Sequence, residues 1–182
     1  LASCALFQAP FVFLRHGETE TNRLGLTTGM ADVALNATGR QQADAAAAVL
    51  IGHGIDAVYS SPLRRALESA RRVGNALNVP VVIVPELAER NWGALEGKPR
   101  ERRVREAAPP GGEGLEEFTR RTFAGLARIS GGGLPLIVAH SGTFRVLCAY
   151  LGIEALAQVE NSRPLRFVPP YPASSQWTVQ PL

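Results

Sequence analysis

Apolar residues in this chain gather into short unbroken runs separated by longer amphipathic stretches. Phe11-Val12-Phe13-Leu14, after Pro10, and Leu134-Pro135-Leu136-Ile137-Val138-Ala139 read as strands buried on both faces. Residues 55–59 and the β-branched run 79–84 read as two further strands. Between them, Thr38-Gly39-Arg40-Gln41 fits a capping box that opens an alanine-rich helix running to about Ile51 and closed by Gly52. Ser61-Pro62 opens the next helix, with Ser61 as cap and Pro62 in the first turn, through Arg64 and Arg65 to Leu77. Residues 115–129 are amphipathic and helical. The Gly131-Gly132-Gly133 turn feeds the 134–139 strand, which leaves through His140-Ser141-Gly142 into a helix. The stretch after Arg15-His16-Gly17-Glu18 is polar to Asn22, and residues 28–32 read as loop. Two short strands, 165–168 and 176–179, are expected near the end.

Strands alternating with helices predict an α/β fold, a three-layer α/β/α sandwich around a mostly parallel central sheet. A length of 182 residues suits a single domain, with a core over about residues 10–180. The charge-rich, Pro/Gly-rich interruption at about residues 98–112 is expected to form a short lid.

Composition narrows the class. With 46% hydrophobic and 19% charged residues the chain is of ordinary globular make-up. A net charge of +3 gives no reason to expect nucleic acid. No apolar run approaches the ~20 residues needed to cross a membrane, and a cytoplasmic setting is expected. Lys98 is the single lysine, so the basic set is almost all arginine, whose planar fork suits phosphate or carboxylate ligands. Cys4 and Cys148 are too few for a disulfide framework or a usual structural zinc site. Leu1-Ala2-Ser3-Cys4 looks like a lipoprotein processing site without a leader before it, and a ragged start is the expectation.

Histidines stand at 16, 53 and 140. His16 and His140 directly follow buried strands, where helices begin and where open α/β sheets collect anionic ligands. His53, between two glycines, reads as an exposed loop residue. Arg15 is a poor core residue and is expected to face a ligand or a carboxylate. Gly17 permits close backbone approach. Arg65, at another strand-to-helix junction, can bring a second guanidinium to the same mouth.

Six ordered landmarks then carry a resemblance. LRHGETETN (14–22), TGMADVALNATGRQQA (28–43), SSPLRRALESA (60–70), LAERNWGALEG (87–97), GGEGLEEF (111–118) and VAHSGTFRVL (138–147) together resemble the histidine phosphatase superfamily. The resemblance implies a phosphoglycerate mutase-like fold of the branch 1 phosphatase type. It implies His16 as phosphorylated nucleophile, Arg15, Arg65, His140 and Asn22 as the phosphate clamp, and Glu89 as proton donor. Thr28 and Gly29 match a loop that touches substrate in that family, although any turn there would need such residues. No metal and no cofactor are implied, and the partner is a small anionic phosphomonoester.

The chemistry is consistent with those roles. A neutral imidazole is a competent nucleophile, and fixed guanidiniums can meet the charge spread over a transferring phosphoryl group. Glu89 must be protonated in one step and ionised in the next. Glu18 is expected to cap a local amide or pair with an arginine rather than act as a base. Trp92 either walls the pocket or packs under its segment. Ser141 either offers its backbone amide to phosphate or serves as a helix cap. Lys98, Arg100, Arg102, Arg103 and Arg105 either line the entrance or form an exposed charged face with Glu101–Arg105 and Glu106–Arg102 pairs, the latter being favoured. Hydrolysis of a small phosphorylated metabolite is the favoured function, because residues 98–112 are too few for an extensive lid. The rivals are phosphoglycerate mutase-type transfer, a non-catalytic phosphate-ester binding protein, and metal-assisted hydrolysis, which flanking arginines disfavour. The oligomeric state is not legible.

Overall fold

The computed structural model describes residues 4–130, 132–154, 159–170 and 175–182. Residues 1–3 of the opening tetrapeptide, and Gly131 of the glycine turn, therefore lie outside the described residues. Six strands form one sheet: β1 (Phe11–Arg15), β2 (Ile55–Ser60), β3 (Val81–Ile83), β4 (Leu134–Ala139), β5 (Leu165–Val168) and β6 (Thr178–Pro181). Their order is β3-β2-β4-β1-β5-β6; the first four run parallel, and β5 and β6 add an antiparallel edge.

Alternation along β1 explains the two packed faces. Val12 and Leu14 join Val58, Leu136 and Val138 beneath α2 (Ala37–Leu50) and α3 (Arg64–Leu77). Phe11 and Phe13 face the other way, toward Ile137, Leu126 of α4 (Leu115–Leu126) and Phe144 and Leu147 of α5 (Ser141–Tyr150). The register opposes Phe11 to Phe167, and their rings stack at 4.6 Å, tying the antiparallel edge to the central strand. On the opposite face Ala43, Ala46 and Ala47 of α2 are all buried, as a helix laid close on a sheet requires.

Three local expectations are corrected. The cap of α2 is Asn36, whose Oδ1 accepts the Gly39 amide at 2.8 Å, and not the Thr38–Gln41 box. Asn36 is drawn there by tertiary contact, because its own side-chain amide donates to Glu18. That bond also answers for Glu18, which serves neither an arginine nor a backbone amide. Ser61 does not cap α3: the helix begins at Arg64, whose amide donates at 2.7 Å to Asp32 of a distant loop. Between His16 and the 28–32 loop, the polar stretch forms a short helix, α1 (Glu20–Arg23), opened by a capping box between Thr19 and Asn22.

One close approach positions the end of β1. A Cβ on Gly17 would land on the Gly39 carbonyl, and one on Gly39 would land on the backbone of Glu18. The turn carrying His16 thus rests directly on the first turn of α2, helped by Glu18 N–H donating to Gln42. Gly39→Ala is therefore expected to cost about 1–3 kcal/mol in denaturant unfolding, as backbone cannot yield as a side chain can. A change near zero would show that the turn does not rest on the helix.

Candidate active site

Three adjacent parallel strands deliver the chemistry at their carboxyl ends. β1 and β4 pair in register to Arg15 and Ala139, and His16 N–H still donates to Ala139 C=O at 3.0 Å. The next residue on each strand is a histidine, so backbone pairing alone sets the two imidazoles side by side, 5.1 Å between ring centres. β2 flanks β4 on its other side and leads through Ser61 into Arg65. This is the crevice beyond the strand ends where such sheets bind ligands.

Hydrogen bonds assign the ring nitrogens of His16. His16 Nδ1 sits 2.7 Å from the Gly17 carbonyl oxygen, which can only accept, so Nδ1 carries the proton. Nε2 then holds the lone pair and accepts from Arg65 Nε at 3.2 Å. His140 Nε2 lies 2.7 Å from Ser61 Oγ. That hydroxyl also accepts from Leu63 N–H, and His140 Nδ1 is buried with no partner among the described residues. Burial, then the charges of Arg65 and its neighbours, hold both imidazoles well below the ordinary histidine value, so both are neutral at pH 7.

The arginines are held by backbone oxygens. Arg65, almost fully buried, donates to the Gly29 and Ala31 carbonyls at 2.8 Å each. Arg15 donates to Val159 C=O at 2.8 Å and leaves its buried Nε unpartnered. Burial, followed by Arg100, lowers Arg15 to about 10, so it stays cationic. Glu89 is placed from the other side: its carboxylate accepts from Arg90 N–H at 2.9 Å and from Gly142 N–H, in the first turn of α5, at 3.2 Å. Gly142 is needed there, since a Cβ would collide with Glu89 and Phe118.

The structure brings the expected residues together. A cavity of about 50 Å³ is lined by Arg15, His16, Asn22, Thr28, Gly29, Arg65, Glu89, Trp92 and Ser141, with His140 against His16. Asn22 Oδ1 is engaged by Thr19 N–H and by Asn161, so its amide nitrogen is the group it has left to offer. Ser141 is the first residue of α5 after the His140 cap, so its own amide needs no helical partner. Trp92 is buried with guanidiniums of Arg90 and Arg103 over its ring at 4.4 and 5.2 Å, and it lines the cavity: wall and packing at once.

The exposed-face expectation for residues 98–105 is corrected in part. The segment makes only a three-residue 3-10 turn, Arg100–Arg102, so i,i+4 pairs cannot form, and Arg100 and Arg103 line the cavity. Leu26 and Arg145 were not singled out. For Arg145 the signal was available, since it lies one helical turn beyond Ser141. Supporting residues were also missed. Glu96 accepts from the Met30, Ala31 and Trp92 amides, shaping the loop whose carbonyls hold Arg65. Arg121 grips Glu113 through two bonds of 2.9 and 2.8 Å and donates to the Glu86, Ala88 and Glu89 carbonyls. Arg90 donates to the carbonyls of Arg105, Ala107 and Glu113. Asn161 supports the turn after β1 through the His16 carbonyl at 2.7 Å.

A sequence profile of the histidine phosphatase superfamily (branch 1) matches residues 11–164. An uncharacterized phosphatase, PhoE, of Bacillus subtilis strain 168 is 36% identical over 141 residues, covering 74% of this chain and 72% of the relative. A 2,3-bisphosphoglycerate-dependent phosphoglycerate mutase of Cytophaga hutchinsonii is 32% identical over 161 residues, covering 77% and 76%. A solved mycobacterial glucosyl-3-phosphoglycerate phosphatase superposes with a TM-score of 0.79 at 27% identity, covering 94% of this chain and 97% of that one. Among the described residues, no helix is long and apolar enough to cross a membrane.

The depressed imidazoles have a thermodynamic signature. Below the unfolded histidine value of about 6.5, the unfolded chain takes up protons that the folded chain refuses. Stability must then fall with falling pH, by about 1.4 kcal/mol per pH unit for each proton excluded, until the folded value is reached. Denaturant unfolding at about pH 7.5 and about pH 5.5 should show this loss, and His140→Gln should lessen it. A pH-independent stability across that window would mean the imidazoles protonate freely in the fold.

Proposed function

The chain belongs to branch 1 of the histidine phosphatase superfamily, and from that premise we propose that it hydrolyses phosphomonoesters through a phosphohistidine on His16. The observation that carries the reading is the tautomer of His16: a neutral ring with Nδ1–H tied to Gly17 and the Nε2 lone pair turned to Arg65 Nε, at the cavity that both residues line. Nε2 attacks phosphorus as the ester P–O bond breaks. Arg15, Arg65, the His140 ring and the Asn22 amide meet the oxygens of the transferring group. Glu89 gives its proton to the departing alkoxide, then takes one from the water that attacks phosphorus as the P–N bond breaks, which returns His16 neutral. Glu89 suits both duties because it lies where the small cavity meets a larger one, beside the leaving group.

Hydrolysis is favoured over mutase-type transfer by access for water. The segment that would serve as a lid is stapled down rather than folded over: Thr27 N–H donates to Lys98 C=O, Leu26 bridges Pro99, and Arg100 N–H donates to Gly25 C=O. The neighbouring cavity opens at the surface beside exposed Leu115 and Tyr150. A phosphoenzyme there is reached by solvent.

Brief exposure to a labelled phosphomonoester followed by an alkaline quench should leave base-stable, acid-labile label on the wild type and none on His16→Ala. Arg65→Ala and His140→Ala should each lose about 2.7–4 kcal/mol of transition-state stabilisation in kcat/KM. Glu89→Gln should slow alkyl phosphates about 10²–10⁴-fold and aryl phosphates far less, since a phenolate leaves without a proton. Equal damage to both substrate classes would remove Glu89 from the proton-donor role, and unlabelled wild type with steady phosphate release would remove the covalent route.

A further inference from the structure

Glu89, Trp92, Arg103, Ser141 and Arg145 line not only the 50 Å³ phosphate cavity but also a second one of about 460 Å³. The two therefore adjoin across a shared set of side chains, as chambers of very different size. The inner chamber holds little beyond a phosphoryl group. The outer chamber has an apolar wall, Phe118 and Leu115 from α4 and Val146, Ala149 and Tyr150 from α5, and its lining also includes the charged Arg105, Glu106 and Arg145. Leu115 and Tyr150 are among the exposed large apolar residues of the chain, and both stand at this one cavity. Exposed apolar surface gathered around the mouth of a charged chamber is the arrangement of a ligand pocket rather than of scattered surface leucines.

The position of Glu89 says which part of a substrate goes there. A proton donor must lie within reach of the ester oxygen, and the group attached to that oxygen extends away from the nucleophile. His16 is on the inner side of Glu89, and the apolar chamber is on the outer side. Two of that chamber's arginines are already engaged: Arg90 spends its donors on three backbone carbonyls, and Arg103 sits over the Trp92 ring at 5.2 Å.

Resting on the phosphatase reading above, we infer that the substrate class of this chain is the phosphomonoester of an alcohol bearing a bulky apolar, ring-containing body, which the outer chamber receives. A small hydrophilic ester such as 3-phosphoglycerate would leave most of that chamber without contacts and its apolar walls wet.

The test compares alkyl esters whose leaving oxygens are alike, so that only the body differs: 3-phenylpropyl phosphate, propyl phosphate and 3-phosphoglycerate. Burial of a phenyl ring predicts about a 10–100-fold higher kcat/KM for the phenylpropyl ester than for the propyl ester. Ala149→Trp, an exposed position that lines the outer chamber and not the phosphate cavity, should abolish that preference, with denaturant unfolding checking that the fold is kept. Equal kcat/KM values, or 3-phosphoglycerate as the best of the three, would overturn the inference. Calorimetric binding of the non-hydrolysable 3-phenylpropyl and propyl phosphonates separates this from the fate of the phosphatase reading. An affinity gap of similar size that disappears in Ala149→Trp supports the pocket whether or not either ester turns over. Equal affinities sink it, and absence of turnover with the gap intact sinks the phosphatase reading alone.

Discussion

A 2.7 Å hydrogen bond between His16 Nδ1 and the carbonyl oxygen of the very next residue decides which ring nitrogen is free to act. Carbonyl oxygen cannot donate, so the proton is forced onto Nδ1 and the lone pair onto Nε2. Much of the surrounding structure serves to keep that carbonyl where it is. Gly17 presents its N–H to Ser69, whose hydroxyl is itself anchored on the Arg65 carbonyl. Its missing side chain lets the turn lie on Gly39. Asn161 holds the carbonyl of His16 from the other side. The tautomer of one ring is thus specified by a turn pinned from three directions.

A second constraint is electrostatic. The guanidiniums around this ring are bound mainly to backbone carbonyls: Arg15 to Val159, Arg65 to Gly29 and Ala31, Arg100 to Asn22 and Leu26. Carbonyls satisfy the N–H donors without cancelling the charge, whereas carboxylate partners would neutralise the site. The result is a concentration of positive charge whose natural counterion is an incoming dianion. Burial first, and the same field after it, keep His16 and His140 unprotonated, which preserves the lone pair that a nucleophile needs. The chain's strong preference for arginine over lysine is intelligible on this basis. Only a guanidinium has enough donors, in a fixed plane, to brace a loop and still face a ligand. Arg121, which joins Glu113 and three carbonyls of the 86–89 turn, does the bracing for Glu89.

The readable parts of the sequence were those governed by local rules. Unbroken apolar runs located β1 and β4, and a histidine immediately after each was enough to place both at one edge once the strands paired in parallel. What could not be read depended on where a side chain would be requisitioned. Ser61 has every local feature of a helix cap, yet its hydroxyl serves His140, and Asp32 caps the helix from another loop. Thr38 and Gln41 have the spacing of a capping box, but Asn36, held by Glu18, wins the position. Residues 98–105 carry charges at helical spacing, but Pro99 stands near their start, bonds from residues 97–100 to residues 25–27 hold that start, and only a three-residue 3-10 turn follows. Glu96 and Arg121 look like surface charges in the sequence; only the tertiary fold supplies the amides and carbonyls that give them work.

The two halves of the site are built from different materials, and this bears on how such a fold diversifies. The phosphoryl half comes from strand ends and turns, where backbone pairing sets positions and a small shift would break several hydrogen bonds at once. The outer half comes from side chains on the exposed faces of α4 and α5 and from the strap over residues 98–112. Substitutions there change the walls without moving His16, Arg65 or His140. One fold can therefore keep a single phosphoryl-transfer chemistry while the group that leaves is chosen by a handful of helix positions. Glu89 stands at the border and is coupled to both halves: Gly142 fixes its carboxylate to α5, and Arg121 fixes its backbone to α4. A shift of either helix that suited a new leaving group would also move Glu89, the proposed proton donor, so these two helices can be remodelled in their side chains but not freely in their placement.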